Sequence, residues 1–162
     1  MKQRMFAASR GFSLIELLAA AAILGVLATV AVPVVETTMR REKERELRQA
    51  LRDIRRGIDA YREAVARHSI VVKIEESGYP PRLESLTEGI TDEKNSGGPK
   101  LVFLRRIPRD PFYADRSVPA ASTWGRRSYA SPEEAPKEGD DVFDVYSRSN
   151  QTGLNGVPYA QW

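Results

Sequence analysis

One carboxylate stands where a carboxylate is costly. Glu16 opens a run, residues 17–35, that holds no charged side chain and is dominated by Leu, Ile, Val and Ala. At about 1.5 Å of rise per residue, roughly 20 such residues in a helix span a hydrocarbon core of about 30 Å. An ionisable group in that core costs at least ~2.5 kcal/mol on insertion scales, so Glu16 requires a partner charge or a function. Other chemistry-bearing side chains are sparse. Cysteine is absent and His68 is the single histidine, which leaves no material for a zinc site or for Cys/His catalysis. His68 itself reads as a solvated residue at a helix end. Asp140, Asp141 and Asp144 cluster as a solvated strand start. Gly97-Gly98 and Gly153 with Gly156 are loop glycines, and no phosphate-binding or dinucleotide fingerprint occurs.

Three readings compete for the N-terminus. A secretory signal has a basic start, an apolar core of about 7–15 residues and an A-x-A-like exit. Here the run is longer, includes Glu16 and reaches Val30-Ala31-Val32-Pro33 without such an exit. A plain single-span anchor fits the length and leaves Glu16 unexplained. The third reading rests on Gly-Phe-Ser-Leu-Ile-Glu at residues 11–16, behind a short leader whose charges, Lys2, Arg4 and Arg10, are all basic. That combination resembles the class III signal of type IV pilins and pseudopilins. The resemblance implies cleavage by a prepilin peptidase between Gly11 and Phe12, methylation of the new N-terminus at Phe12, and a role for Glu16 in assembly. Pro33 sits where pilins commonly bend their helix, and its missing N–H predicts a kink there.

Helical patterning continues beyond the apolar run. Leu47, Ala50, Leu51, Ile54, Ile58, Tyr61 and Val65 recur at steps of three and four, which predicts one buried stripe. Glu44 with Arg48 and Glu63 with Arg67 are i,i+4 pairs expected on the other faces. Gly57 weakens the helix by about 1 kcal/mol, so the stripe requires tertiary support. One helix of roughly 50 residues, ending near His68, is the expectation. Beyond it, residues 69–75 read as irregular or a short strand. Pro81 is placed to start a short helix through Leu83 and Leu86. Pro108-Arg109-Asp110-Pro111 fixes a turn. Residues 124–130 and 142–147 read as strands, joined by an exposed connection rich in Pro and Glu. Trp162 is expected as a plug on the core rather than a ligand platform.

The order of three segments adds to the resemblance: Tyr79-Pro80-Pro81-Arg82-Leu83-Glu84-Ser85-Leu86, then Leu104-Arg105-Arg106-Ile107-Pro108-Arg109-Asp110-Pro111-Phe112, then Phe143-Asp144-Val145-Tyr146-Ser147. They are similar to the head of the G-type major pseudopilins of type II secretion systems. The absence of cysteine also favours the pseudopilin branch over the disulfide-closed pilins. Two departures stand out. Tyr113-Ala114-Asp115-Arg116 and an inserted loop replace the family's Gly-Asn-Pro-Tyr, and the acidic C-terminal loop that binds calcium in the family is missing. Residues 147–162 contain no Asp or Glu, and calcium prefers six to eight oxygen ligands, usually including carboxylates. No metal or other cofactor is therefore expected.

The net charge of +3 vanishes once Lys2, Arg4 and Arg10 leave with the leader, which weakens a nucleic-acid reading. By its Lys and Arg count, the C-terminal flank of the span (Arg40, Arg41, Lys43, Arg45, Arg48, Arg52) outnumbers the leader. Alone, that bias keeps the head in the cytoplasm; the resemblance implies the opposite.

The expected fold class is α+β, with a long N-terminal helix, half of it transmembrane, packed on a small antiparallel sheet. The expected segments are a leader (1–11), a transmembrane and filament-core helix (12–35), an amphipathic continuation (36–68) and a globular head (69–162). The expected protein is no enzyme. It is a subunit that polymerises with copies of itself into a periplasmic filament for type II protein secretion, anchored in the bacterial inner membrane with its head in the periplasm. The resemblance implies a prepilin peptidase, an inner-membrane assembly platform and minor pseudopilins as partners. The rival readings are a surface pilin for adhesion or motility and a DNA-uptake pilin binding through Arg105, Arg106, Arg109, Arg126 and Arg127. The last is disfavoured, and its salt dependence would be steep.

Overall fold

The computed structural model describes residues 13–73, 75–95 and 97–162, without the side chains of residues 30–33. They fall into two compact units, one ending at Arg40 and the other running from Arg41 to Trp162. Helix α1, Leu14–Ala66, supplies the first and the backbone of the second. The bend expected at Pro33 falls on a side chain outside the described residues.

The stripe that the 3–4 spacing marks is the core of the second unit. Leu47, Leu51, Ile54, Ile58 and Tyr61 are buried against Leu83, Leu86, Trp124, Val142, Val145 and Tyr159. Val65 is only partly covered, and Ala64 takes the buried position beside it. Glu63 and Arg67 pair on the exposed surface. Glu44 departs from expectation. It is 4% exposed rather than on an outer face, because the C-terminal segment folds over it. Gly57 faces Leu86 and Leu104, 3.4 and 3.7 Å from where a Cβ would stand. The cost in helix propensity is thus accompanied by close approach of the 103–104 segment.

α1 ends two residues before His68, and the reason is local. The N–H of Ser69 donates to the Ala64 carbonyl and that of His68 to Val65, both at 2.9 Å. His68 lies in the left-handed region at φ 59°. This is the Schellman arrangement, which satisfies the last carbonyls and usually takes glycine at the His68 position.

The rest of the head is short pieces. Residues 69–73 are irregular, and Ile70 is buried while Val71 is exposed. Helix α2, Ser85–Glu88, is one turn and starts after Leu83 rather than at Pro81. Short 3-10 turns cover Glu93–Asn95, Ala120–Thr123 and Tyr159–Gln161. Strands β1, Trp124–Arg127, and β2, Asp144–Ser147, pair antiparallel with Trp124 opposite Ser147 and Arg127 opposite Asp144. Both are shorter than their sequence patterns, because the Ser128 N–H turns away to the Lys137 carbonyl, 3.0 Å off. Gly125 lies opposite Tyr146, whose ring stands 2.3 Å from where a Cβ would be. Any side chain there would displace the ring. The architecture is α+β, with a long N-terminal helix and a small two-stranded sheet.

Candidate functional site

Glu16 sits in the first turn of α1, and the Leu17 N–H bonds to the Ser13 carbonyl at 3.1 Å. Around it Leu14, Ile15, Leu17 and Leu18 are all exposed, and so is every side chain of residues 13–29. Among the described residues α1 is the one helix long and apolar enough to cross a membrane by length and composition. Thr29 Oγ1 donates to the Val26 carbonyl at 2.7 Å and Thr38 Oγ1 to that of Val34 at 2.8 Å, so hydroxyls in and just after the run are satisfied within the helix. Among the described residues none forms a hydrogen bond or ion pair with the Glu16 carboxylate. Gly11 and Phe12, the expected cleavage and methylation site, lie outside the described residues.

Several acids of the head are held by donors within it. Asp110, 1% exposed, accepts from Ser147 Oγ at 2.6 Å and from the Phe112 N–H at 2.8 Å. The Trp124 indole N–H reaches the Pro108 carbonyl at 2.8 Å. These bonds pin the Pro108-Arg109-Asp110-Pro111 turn to β1 and β2. Asp144 accepts from Arg55 Nε at 2.8 Å and lies 3.6 Å from Arg127. Asp141 accepts from Ser77 and, at 3.0 Å, from the Tyr129 N–H. Burial pushes the Asp141 carboxyl up, but hydrogen bonds from Ser128, Ser77 and Tyr129 outweigh it and hold the group below its ordinary range. The acid cluster is thus structural in two of its members.

The same accounting bears on the basic residues singled out as a DNA-binding set. Arg109 donates to the Val118 and Asp115 carbonyls. Arg126 pairs with Glu138 at 2.6 Å, and Arg127 stacks 4.7 Å from the Phe143 ring beside Asp144. Arg105 and Arg106 remain exposed. The five do not form one free surface.

A site that sequence reasoning missed joins α1 to the C-terminal segment. Glu44 Oε1 accepts from the Leu154 N–H at 2.7 Å and from the Tyr159 hydroxyl at 3.0 Å, and Arg48 lies 3.7 Å from its other oxygen. Tyr159 is fully buried and stacks on Phe112 at 4.1 Å. Trp162 meets Tyr159 edge-on at 5.0 Å, and the Arg48 guanidinium covers its ring at 4.3 Å. Its indole donates to the Val157 carbonyl at 3.2 Å. Tyr159 is therefore the plug, and Trp162 half-covers it. The i,i+4 spacing of Glu44 and Arg48 looked like a solvated pair because the segment that buries Glu44 is over 100 residues away in sequence. Among the described residues no three His, Asp or Glu side chains are grouped to hold a metal.

The prokaryotic N-terminal methylation motif matches residues 7–32, which include Gly11, Phe12 and Glu16. The chain is also 26% identical over 155 residues to type II secretion system core protein G of Dickeya chrysanthemi, across 91% of this chain and 94% of that protein. By motif and by the extent of the match, the chain resembles the pseudopilins of type II secretion. The same-named protein of Klebsiella pneumoniae is 26% identical over 139 residues, across 82% of this chain and 91% of its own length. No solved structure matches significantly. The similarity thus extends from the methylation motif through the head, and it agrees with the expected pseudopilin branch.

Proposed function

We propose that this pseudopilin is a structural subunit that polymerises with copies of itself into a periplasmic filament driving type II protein secretion. The observation that carries the proposal is the uncovered apolar half of α1, with Glu16 at its start, most of it within the methylation motif itself. A helix apolar on all sides requires an apolar environment outside its own chain, first lipid and then the helices of neighbouring copies. A prepilin peptidase removes residues 1–11 and methylates Phe12. The resulting ammonium and Glu16 are both costly alone in hydrocarbon, and pairing them recovers part of that cost. When the ammonium of one subunit meets Glu16 of its neighbour, the pair sets their axial stagger.

The protein is held in the inner membrane by this single span with its head in the periplasm, and it works with an assembly platform and minor pseudopilins. No catalytic role is proposed for the head. A surface pilus is the remaining rival, while the commitment of Arg109, Arg126 and Arg127 to internal partners counts against DNA uptake. Intact mass from native membranes tests the processing step. The expected species lacks residues 1–11 and carries one added methyl group; finding only the unprocessed chain in cells with an active prepilin peptidase would refute it.

A further inference from the structure

Two surfaces of the unit that begins at Arg41 are complementary to each other and share no residue. The first is a groove of about 380 Å³ between α1 and the C-terminal segment. Leu51, Val157 and Trp162 give it an apolar lining, and Arg48, Arg52 and Arg55 make it basic. Arg55 is committed to Asp144 and to the Trp162 main-chain oxygen, both at 2.8 Å. Arg48 is about half exposed, beside Glu44 at 3.7 Å and over one face of the Trp162 ring at 4.3 Å, while Arg52 is exposed and, among the described residues, bonded to Gln49, a neutral partner. The groove thus offers a partly exposed indole, the exposed guanidinium of Arg52 and the outer side of Arg48.

The second surface is the connection between β1 and β2. Its tip reads Pro132-Glu133-Glu134-Ala135-Pro136, and the first four of these are exposed. Neither Glu133 nor Glu134 is ion-paired among the described residues. The neck beneath them is closed by the Ser128 N–H on the Lys137 carbonyl at 3.0 Å and the Lys137 N–H on Ser131 Oγ at 2.8 Å. Glu138 then clamps the neck to Arg126 and Arg148, at 2.6 and 2.8 Å. The tip is a preformed acidic, proline-flanked projection rather than a floppy loop.

We propose that the 132–136 tip of one subunit docks in the Arg48–Arg52–Trp162 groove of a neighbouring copy. Prolines have little backbone freedom left to lose and pack well on aromatic surfaces, while Glu133 and Glu134 meet the two guanidinium groups. Because tip and groove are different patches of one chain, the contact is heterologous. Repeated without closing, such a contact builds a helical filament rather than a closed dimer. A five-residue tip covers far less than the roughly 1,200 Å² of a stable free-standing interface. The docking therefore acts only where apolar helices already hold copies side by side at high effective concentration. It rests on the filament reading above.

The native chain has no cysteine, so cross-linking reads the contact directly. Full-length chain carrying Glu134→Cys and Arg52→Cys together, assembled in cells and oxidised, is expected to give a ladder of dimers, trimers and longer species. Either substitution alone gives no ladder. Should Arg52→Cys itself impair assembly, Gln161→Cys places the thiol at another point of the same groove. Filaments of normal abundance with no ladder from either pairing would overturn the docking and leave the filament reading standing. Failure of the unsubstituted chain to form any filament would remove that reading, and the docking with it.

Discussion

Along one helix, the more apolar stretch is the uncovered one. In residues 14–29 of α1, Leu14 and Leu24 are 77% and 65% exposed, whereas Leu47 and Ile54 further along are fully buried. The later stretch alternates apolar positions with charged ones at steps of three and four, so one face can close on its own head while the other stays wet. The earlier stretch has no polar face to give to water. Periodicity marks a helix that finds its partner on one face within the chain; unbroken apolarity marks one that needs apolar surroundings on every side.

The largest effect expected from breaking this comparison is at Glu16. Glu16→Ala should leave a processed, membrane-inserted subunit that forms no filaments, even when overproduced. Abundant normal filaments from that variant, seen by electron microscopy, would remove Glu16 from assembly and restrict it to peptidase recognition. Next, Ile54→Ala should cost the head about 2–5 kcal/mol in denaturant unfolding, as for other buried large-to-small changes. Leu24→Ala, an equally drastic truncation in the uncovered stretch, should leave head unfolding unchanged. Equal losses at the two positions would mean that the first stretch is also packed within the chain.

Glu44 sharpens the same contrast at smaller scale. Glu44→Ala removes the acceptor of the Leu154 N–H and of the buried Tyr159 hydroxyl, a loss of about 1–3 kcal/mol. Glu44→Gln keeps an acceptor and should lose clearly less. Similar losses from both would assign the effect to charge and to Arg48 rather than to the acceptor. The smallest expected effect is that of calcium. We propose that the C-terminal segment is held by Glu44, Tyr159 and Trp162 without a metal, so a fragment from Arg41 onward should melt at one temperature in calcium and in chelator. A shift of many degrees, as a saturated site produces, would contradict this.

The uncovered stretch and the buried stripe were legible in the sequence because their signals are local. Glu16 stands out against its immediate neighbours, and the 47–61 stripe follows from a repeat of three and four. The strand ends, the short α2 and the plug were less legible, since each depends on what another segment does. β1 stops where Ser128 bonds to Lys137, and Tyr159 is buried by Phe112 and Glu44, which lie 47 and 115 residues away.

By itself, the sequence determined that the N-terminal half of α1 needs apolar surroundings on every side, because no rotation of such a helix gives it a wet face. It also determined which face of the later half turns inward. Only the tertiary structure decided which charges remain available. Glu44, Asp110 and Asp144 look alike in sequence to the solvated acids around them, yet each is held by donors brought from distant segments. Whether a charge faces water or a buried donor depends on contacts between segments far apart in the chain, and a local pattern of residue types carries no record of them.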